Sequence, residues 1–144
     1  MGEGHFLGCH APEEKDAKRY KAINDQKGDT HIKYIVAIIQ PDRLDDVLQR
    51  LTDVEIHLVT VSTVMGRGRQ KGVGPVYRSH KEAGNLLKKM KLEIAVNDAY
   101  AKATVDAIIA GGRTGEVGDG KIFVLNLDEC IRIRTGETGS VAIG

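Results

Sequence analysis

Tyr34-Ile35-Val36-Ala37-Ile38-Ile39-Gln40-Pro41-Asp42-Arg43-Leu44-Asp45-Asp46-Val47-Leu48 decides the fold. It opens with a continuous apolar run of strand length. Pro41 then starts a helix in which Leu44, Val47, Leu48 and Leu51 follow i, i+3, i+4, i+7. Working outward, residues 55–65 are rich in β-branched types (Val59, Thr60, Val61, Thr63, Val64) and read as a second strand. Residues 91–96 read as a third. Asp98 is placed to cap a helix carrying Ala101, Thr104, Val105 and Ile108 on one face, which Gly111-Gly112 ends. Residues 122–127 make a fourth strand, and a short extra strand is expected over 130–134. The order βαββαβ is that of an α+β, ferredoxin-like sandwich with its helices on one sheet face.

Residues 1–32 differ from this pattern. They hold Gly2, Gly4, Gly8, Pro12 and Gly28, a mixed-charge run over 13–19 and few large apolar side chains. We read them as an N-terminal extension, mobile or docked, with a short surface helix over 12–24. Residues 33–144 form the single domain. At 144 residues the chain is long enough for a real core, and its net charge of +1 excludes a surface that is basic throughout. Cys9 and Cys130 form no CxxC pair or disulfide framework, which suits a reduced, cytoplasmic setting. No apolar run approaches the roughly 20 residues a bilayer requires, so direct membrane insertion is not expected.

Two segments carry chemistry. Thr114-Gly115-Glu116-Val117-Gly118-Asp119-Gly120-Lys121 allows tight turns and ends on a cation; Ile131-Arg132-Ile133-Arg134 would present two guanidinium groups to one side of an extended strand. Backbone amides, one lysine and two arginines are the ingredients of a polyphosphate site. A Gly-rich turn alone would explain the first segment, and it is not a Walker A loop. The third cation-bearing element decides for anion binding. It is the connection over 66–90, too long for a hairpin and rich in both glycine and basic residues (Arg67, Arg69, Lys71, Arg78, Lys81). The five histidines lack metal-ligand spacing, the serines lack a signature of activation, and the strands lack the aromatic pattern of RNA modules. No catalytic residue is assigned and no nucleic-acid partner is expected.

From Lys33 onward the chain resembles the PII nitrogen-regulatory signal-transduction proteins. The carriers are Pro41-Asp42-Arg43-Leu44-Asp45-Asp46-Val47, Gly68-Arg69-Gln70-Lys71-Gly72, Tyr77-Arg78, Lys89-Met90-Lys91-Leu92-Glu93, the 114–123 segment and Ile131-Arg132-Ile133-Arg134-Thr135-Gly136-Glu137. The resemblance implies a homotrimer of ferredoxin-like subunits with ATP or ADP in the clefts between neighbours. It also implies a long T-loop, residues 67–87, that engages targets. Gly118, Asp119, Gly120, Lys121, Arg132 and Arg134 would then serve the phosphates, with Gly68, Arg69 and Gln70 also on the nucleotide. Thr60, Gly66, Glu93 and Ala95 would line the adenine and ribose side. Gln70 would ligate Mg²⁺ together with ATP and the effector 2-oxoglutarate. Lys71, Gly72 and Lys89 would complete the effector site, with Lys89 pairing with a carboxylate. An amide oxygen is a suitable Mg²⁺ ligand, and Mg²⁺ commonly bridges phosphates with few protein ligands.

Tyr77 and Arg78 would face the partner, a membrane transporter such as an ammonium channel, or a metabolic enzyme. The chain would associate with membranes only through such a transporter. Three positions depart from the family's pattern. Glu82 stands at the uridylylated tyrosine, His80 at a serine phosphorylated in some members, and Gln40 at a basic residue of the first strand that helps hold 2-oxoglutarate. Losing that cation weakens a dianion's binding or shifts the preference. The alternatives are a PII-like sensor of bicarbonate or AMP, and a slow ATP-hydrolysing enzyme, for which no base to orient a nucleophile is evident.

Overall fold

Strands and helices follow one another in the expected order in the computed structural model, which describes residues 14, 15, 18, 31–68 and 86–144. The chain divides into two units, Met1–Thr30 and His31–Gly144. In the first, Glu14, Lys15 and Lys18 are helical, and Lys18 pairs with Glu14 one turn away at 2.7 Å. The second begins with strand β1 (Ile32–Ile39), a 3-10 turn at Pro41–Arg43 and helix α1 (Leu44–Asp53). Strands β2 (Thr60–Gly66) and β3 (Leu87–Asn97), helix α2 (Asp98–Gly112), strand β4 (Gly120–Leu127) and a single turn of helix, α3 (Ser140–Ile143), complete it.

The four strands form one sheet in the order β2-β3-β1-β4. Every pairing is antiparallel, with Ile35 opposite both Ile94 and Val124, and Thr60 opposite Glu93. This is the ferredoxin-like arrangement, with the first and third strands in the centre. Period-2 alternation sends Ile35, Ala37, Ile39, Leu92, Ile94 and Val96 to one face, where Val47 and Leu51 of α1 and Ala107 and Ile108 of α2 close the core. The predicted stripe of α1 is therefore the buried one. On α2, Thr104 is fully buried as well, its hydroxyl donating to the Tyr100 carbonyl at 2.7 Å. The helices cross closely at Gly111, where an added Cβ would lie 2.7 Å from the Val47 Cα.

The opposite sheet face carries Tyr34, Val36, Ile38, Lys91, Glu93, Lys121, Phe123 and Leu125 by register; neither α1 nor α2 covers it, and α3 borders it beside Tyr34, Glu93 and Ala95. Phe123, Val124 and Leu125 are each about half exposed. Element ends differ from the sequence reading in three places. Asn97, not Asp98, is the N-cap of α2, with Asp98 in its first turn. Strand β2 starts at Thr60 because the chain first leaves α1 through Glu55, in a left-handed conformation with φ 64°. Strand β3 starts four residues before the expected position 91, extended by its pairing with β2.

The expected strand over 130–134 is not formed. Only an isolated bridge joins Ile131 to Thr138, and the chain turns over 133–135. The reversal is local: the Arg132 N–H donates to the Glu137 carbonyl at 2.9 Å, and the Gly136 N–H to the Arg132 carbonyl at 2.8 Å. Gly136, at φ 70°, permits it, so the segment pairs with itself rather than with the sheet.

Candidate functional site: two half-sites on opposite edges of the sheet

The loop between α2 and β4 is held by its own side chains. The Asp119 carboxylate accepts from the N–H groups of Thr114 and Gly115, both at 2.9 Å, and from the Thr114 hydroxyl. The Thr114 hydroxyl bond, followed by these two backbone bonds, holds the Asp119 carboxyl below its ordinary pKa. Asp119 therefore serves as the loop's organiser, and the Thr114 and Gly115 N–H groups are used inside the loop. The far end leads directly into β4 through Gly118 (φ 106°) and Gly120 (φ 105°), with Lys121 exposed on the open sheet face.

This loop is tied to the centre of the sheet. Gln40, just past the end of β1, donates its amide N–H to the Gly118 carbonyl at 2.8 Å. Its amide oxygen accepts from the Lys89 ammonium at 3.0 Å, and Lys89 also reaches the Gly118 carbonyl at 3.4 Å. Lys89 is only 8 % exposed, so this junction is interior. The register explains the meeting: Ile39 pairs with Met90 on one side and Gly120 on the other, which leaves Gln40 flanked by Lys89 and the loop.

The second half-site lies beside β2. A depression of about 470 Å³ is lined by Tyr34, His57, Leu58, Val59, Thr60, Glu93, Ala95, Cys130, Ala142 and Ile143. Apolar walls with Thr60 and Glu93 suit a planar base and a sugar. The Tyr34 hydroxyl donates to Glu93 at 2.5 Å and the Lys91 ammonium approaches the same oxygen at 3.2 Å. The Tyr34 bond first, and Lys91 after it, hold the Glu93 carboxyl below its ordinary pKa; the same bond raises that of Tyr34. The hairpin after β4 borders this side through Cys130 and α3. There Arg132 donates to Glu137 at 2.6 Å and to the Val141 carbonyl at 2.9 Å, while Arg134 is exposed in the turn.

The predicted nucleotide residues thus fall into two groups that one chain does not bring together. Thr60, Glu93, Ala95 and the Arg132 hairpin stand at the β2 side; Gly118, Asp119, Gly120 and Lys121 stand at the β4 side. A separate cavity of about 420 Å³ touches Asp119, Gly120 and Lys121 but none of Thr60, Glu93 or Ala95. Across the sheet the row runs Lys121, Ile38, Lys91, Ser62, three strand spacings or about 14 Å. Gly66 ends β2 and Gly68 lies two residues beyond it, whereas Arg69, Gln70, Lys71, Gly72, Tyr77 and Arg78 fall outside the described residues. Sequence reasoning missed Tyr34 as a wall of the β2-side depression. Its place opposite Ala95, on the face of Glu93, is what strand alternation would have supplied.

Comparison with known proteins identifies the family. The family model for nitrogen regulatory protein P-II matches residues 32–137. Nitrogen regulatory protein GlnK1 of Methanosarcina mazei is 51 % identical over 114 residues, spanning 78 % of this chain and 97 % of its own. Nitrogen regulatory protein P-II of Rhizobium etli is 47 % identical over 112 residues, spanning 78 % of this chain and 100 % of its own. Arabidopsis thaliana PII, in a crystal structure bound to citrate, superposes with a TM-score of 0.65 at 36 % identity, covering 80 % of this chain and 92 % of that one. With the sheet order, the loop over 114–121 and these matches in agreement, the chain belongs to the nitrogen regulatory protein P-II family.

Proposed function

We propose that this protein senses ATP and ADP in clefts between neighbouring copies of a homotrimer, and that the occupied cleft governs how the connection over 67–87 engages a target. The observation that carries this reading is that Thr60, Glu93 and Ala95 line one cavity while Asp119, Gly120 and Lys121 line another, with no residue shared between them. A second copy laying its 114–121 loop against the β2 edge of the first would join the halves. The open sheet face with Val36, Phe123 and Leu125 offers the apolar surface for that assembly.

In such a cleft the depression beside Thr60, Glu93 and Ala95 takes the base and sugar. Gly118, Gly120 and Lys121 of the neighbour take the phosphates, joined by Arg132 and Arg134. Lysine acts as a point cation and arginine as a planar fork, a division suited to a chain of phosphates. Mg²⁺ accompanies ATP, with Gln70 as its protein ligand. A carboxylate effector, 2-oxoglutarate, belongs at Lys89; the citrate held by the plant relative supports a polycarboxylate ligand. Tyr77 and Arg78 address the target, a transporter (an ammonium channel or another) or a metabolic enzyme in nitrogen metabolism.

Calorimetry tests the nucleotide claim. ATP and ADP should each saturate near one site per chain and compete with one another. Lys121→Ala should weaken ATP roughly 10- to 100-fold, the value of one charge-assisted hydrogen bond. No saturable binding, or an unchanged affinity in Lys121→Ala, would refute it.

A further inference from the structure

The junction at Gln40 does more than fill the place of a missing cation. Its amide donates to one neighbour, the Gly118 carbonyl at 2.8 Å, and accepts from another, the Lys89 ammonium at 3.0 Å. That double role restricts the side chain. A lysine at position 40 could donate to Gly118 but would repel Lys89. A glutamate could accept from Lys89 but would turn a second acceptor on the Gly118 carbonyl. An aliphatic side chain could do neither. A primary amide matches both neighbours, and it sits where the central strand ends, fixed between Ile39 and Pro41.

We propose that Gln40 is an intramolecular competitor for the effector's carboxylate, its amide oxygen occupying on Lys89 the position that a carboxylate oxygen of a dicarboxylate takes. This rests on the reading that Lys89 binds the effector. Both oxygens are planar acceptors, but only the carboxylate carries charge, so an anionic ligand displaces the amide whereas a neutral one has no advantage over it. Because Lys89 is 8 % exposed, the ligand cannot simply add to the junction; the Gln40 side chain has to give way. When it does, the Gly118 carbonyl loses its amide donor. Effector binding is therefore felt in the loop over 114–121, through Gln40 and through Lys89, which also reaches the Gly118 carbonyl. Gln40 thus raises the effector concentration at which the protein responds, and it selects for anionic ligands.

The test is titration of 2-oxoglutarate into the full-length protein with Mg²⁺ and ATP present, for the wild type, Gln40→Ala, Gln40→Glu and Lys89→Ala. Removing the competitor in Gln40→Ala should tighten 2-oxoglutarate by roughly three- to tenfold, the equivalent of one net hydrogen bond. Gln40→Glu, which places its own carboxylate against Lys89, should weaken it by about tenfold or more. Opposite signs at one position do not arise from a general loss of folding. Wild-type binding that is abolished in Lys89→Ala yet unchanged or weakened in Gln40→Ala overturns the competitor role alone. Absence of 2-oxoglutarate binding in both the wild type and Gln40→Ala overturns the effector reading together with it.

Discussion

Asp119 shows how one side chain can set the form of a loop. The aspartate sits inside the motif and read there as a nucleotide residue, but its carboxylate is spent on Thr114 and Gly115. Its folded pKa lies below the ordinary value, chiefly through the Thr114 hydroxyl. The loop's contribution is therefore fully present above the ordinary carboxylate pKa of about 3.9 and is lost as pH falls through the folded value. In Asp119→Asn the amide oxygen can replace only part of this acceptor set. Urea midpoints of wild type and variant should differ at neutral pH and converge as pH falls through the folded value; parallel curves would remove Asp119 from this role. Residue types in the loop were legible from the sequence, because glycine and lysine advertise turns and phosphate. The donor–acceptor pairing was not, since nothing in linear order shows that Asp119 folds back on Thr114. The same holds for Gln40: its departure from a basic residue was legible, but the bridge depends on three segments meeting at a strand end.

At the scale of elements, periodicity carried most of the fold. The stripe of Leu44, Val47, Leu48 and Leu51 and the run over 34–39 needed only their repeat to declare a helix and a strand. Where pairing rather than pattern makes the element, the sequence was mute. Lys88 and Lys89 hid the start of β3, which is a strand there because β2 pairs with it. Conversely, the alternation Ile131-Arg132-Ile133-Arg134 looks extended, but Gly136 folds it back before it can reach the sheet. The junction of β4 with β1 is the most exacting contact between elements. Gly120 has φ 105°, and an added Cβ would fall 1.7 Å from the Ile38 carbonyl oxygen. Backbone on both sides must then move, so Gly120→Ala should cost roughly 2–4 kcal/mol in denaturant unfolding. It should also weaken ATP binding by displacing Lys121. A loss under about 0.5 kcal/mol would show that β4 tolerates a different register at its start.

On the proposed reading, the whole molecule, taken as one chain, is half of a site twice over. The depression beside Thr60, Glu93 and Ala95 and the loop over 114–121 line separate cavities, and the face between them exposes Phe123 and Leu125. A closed ring of copies in head-to-tail contact satisfies all three features, with each copy giving one half to each neighbour. The resemblance noted from the motifs implied a trimer; the separation of the two groups of residues, which supports the proposed assembly, needed the strand order. Complementation between two defective chains tests that claim most directly. Lys121→Ala weakens the phosphate half, and a bulky replacement, Ala95→Trp, fills the base half, so neither protein alone should bind ATP with wild-type affinity. Assembled together at equal amounts, they should recover binding in about one quarter of the clefts, those in which each neighbour supplies its intact half. No recovery in verified mixed assemblies would place the whole site within one chain and contradict the account.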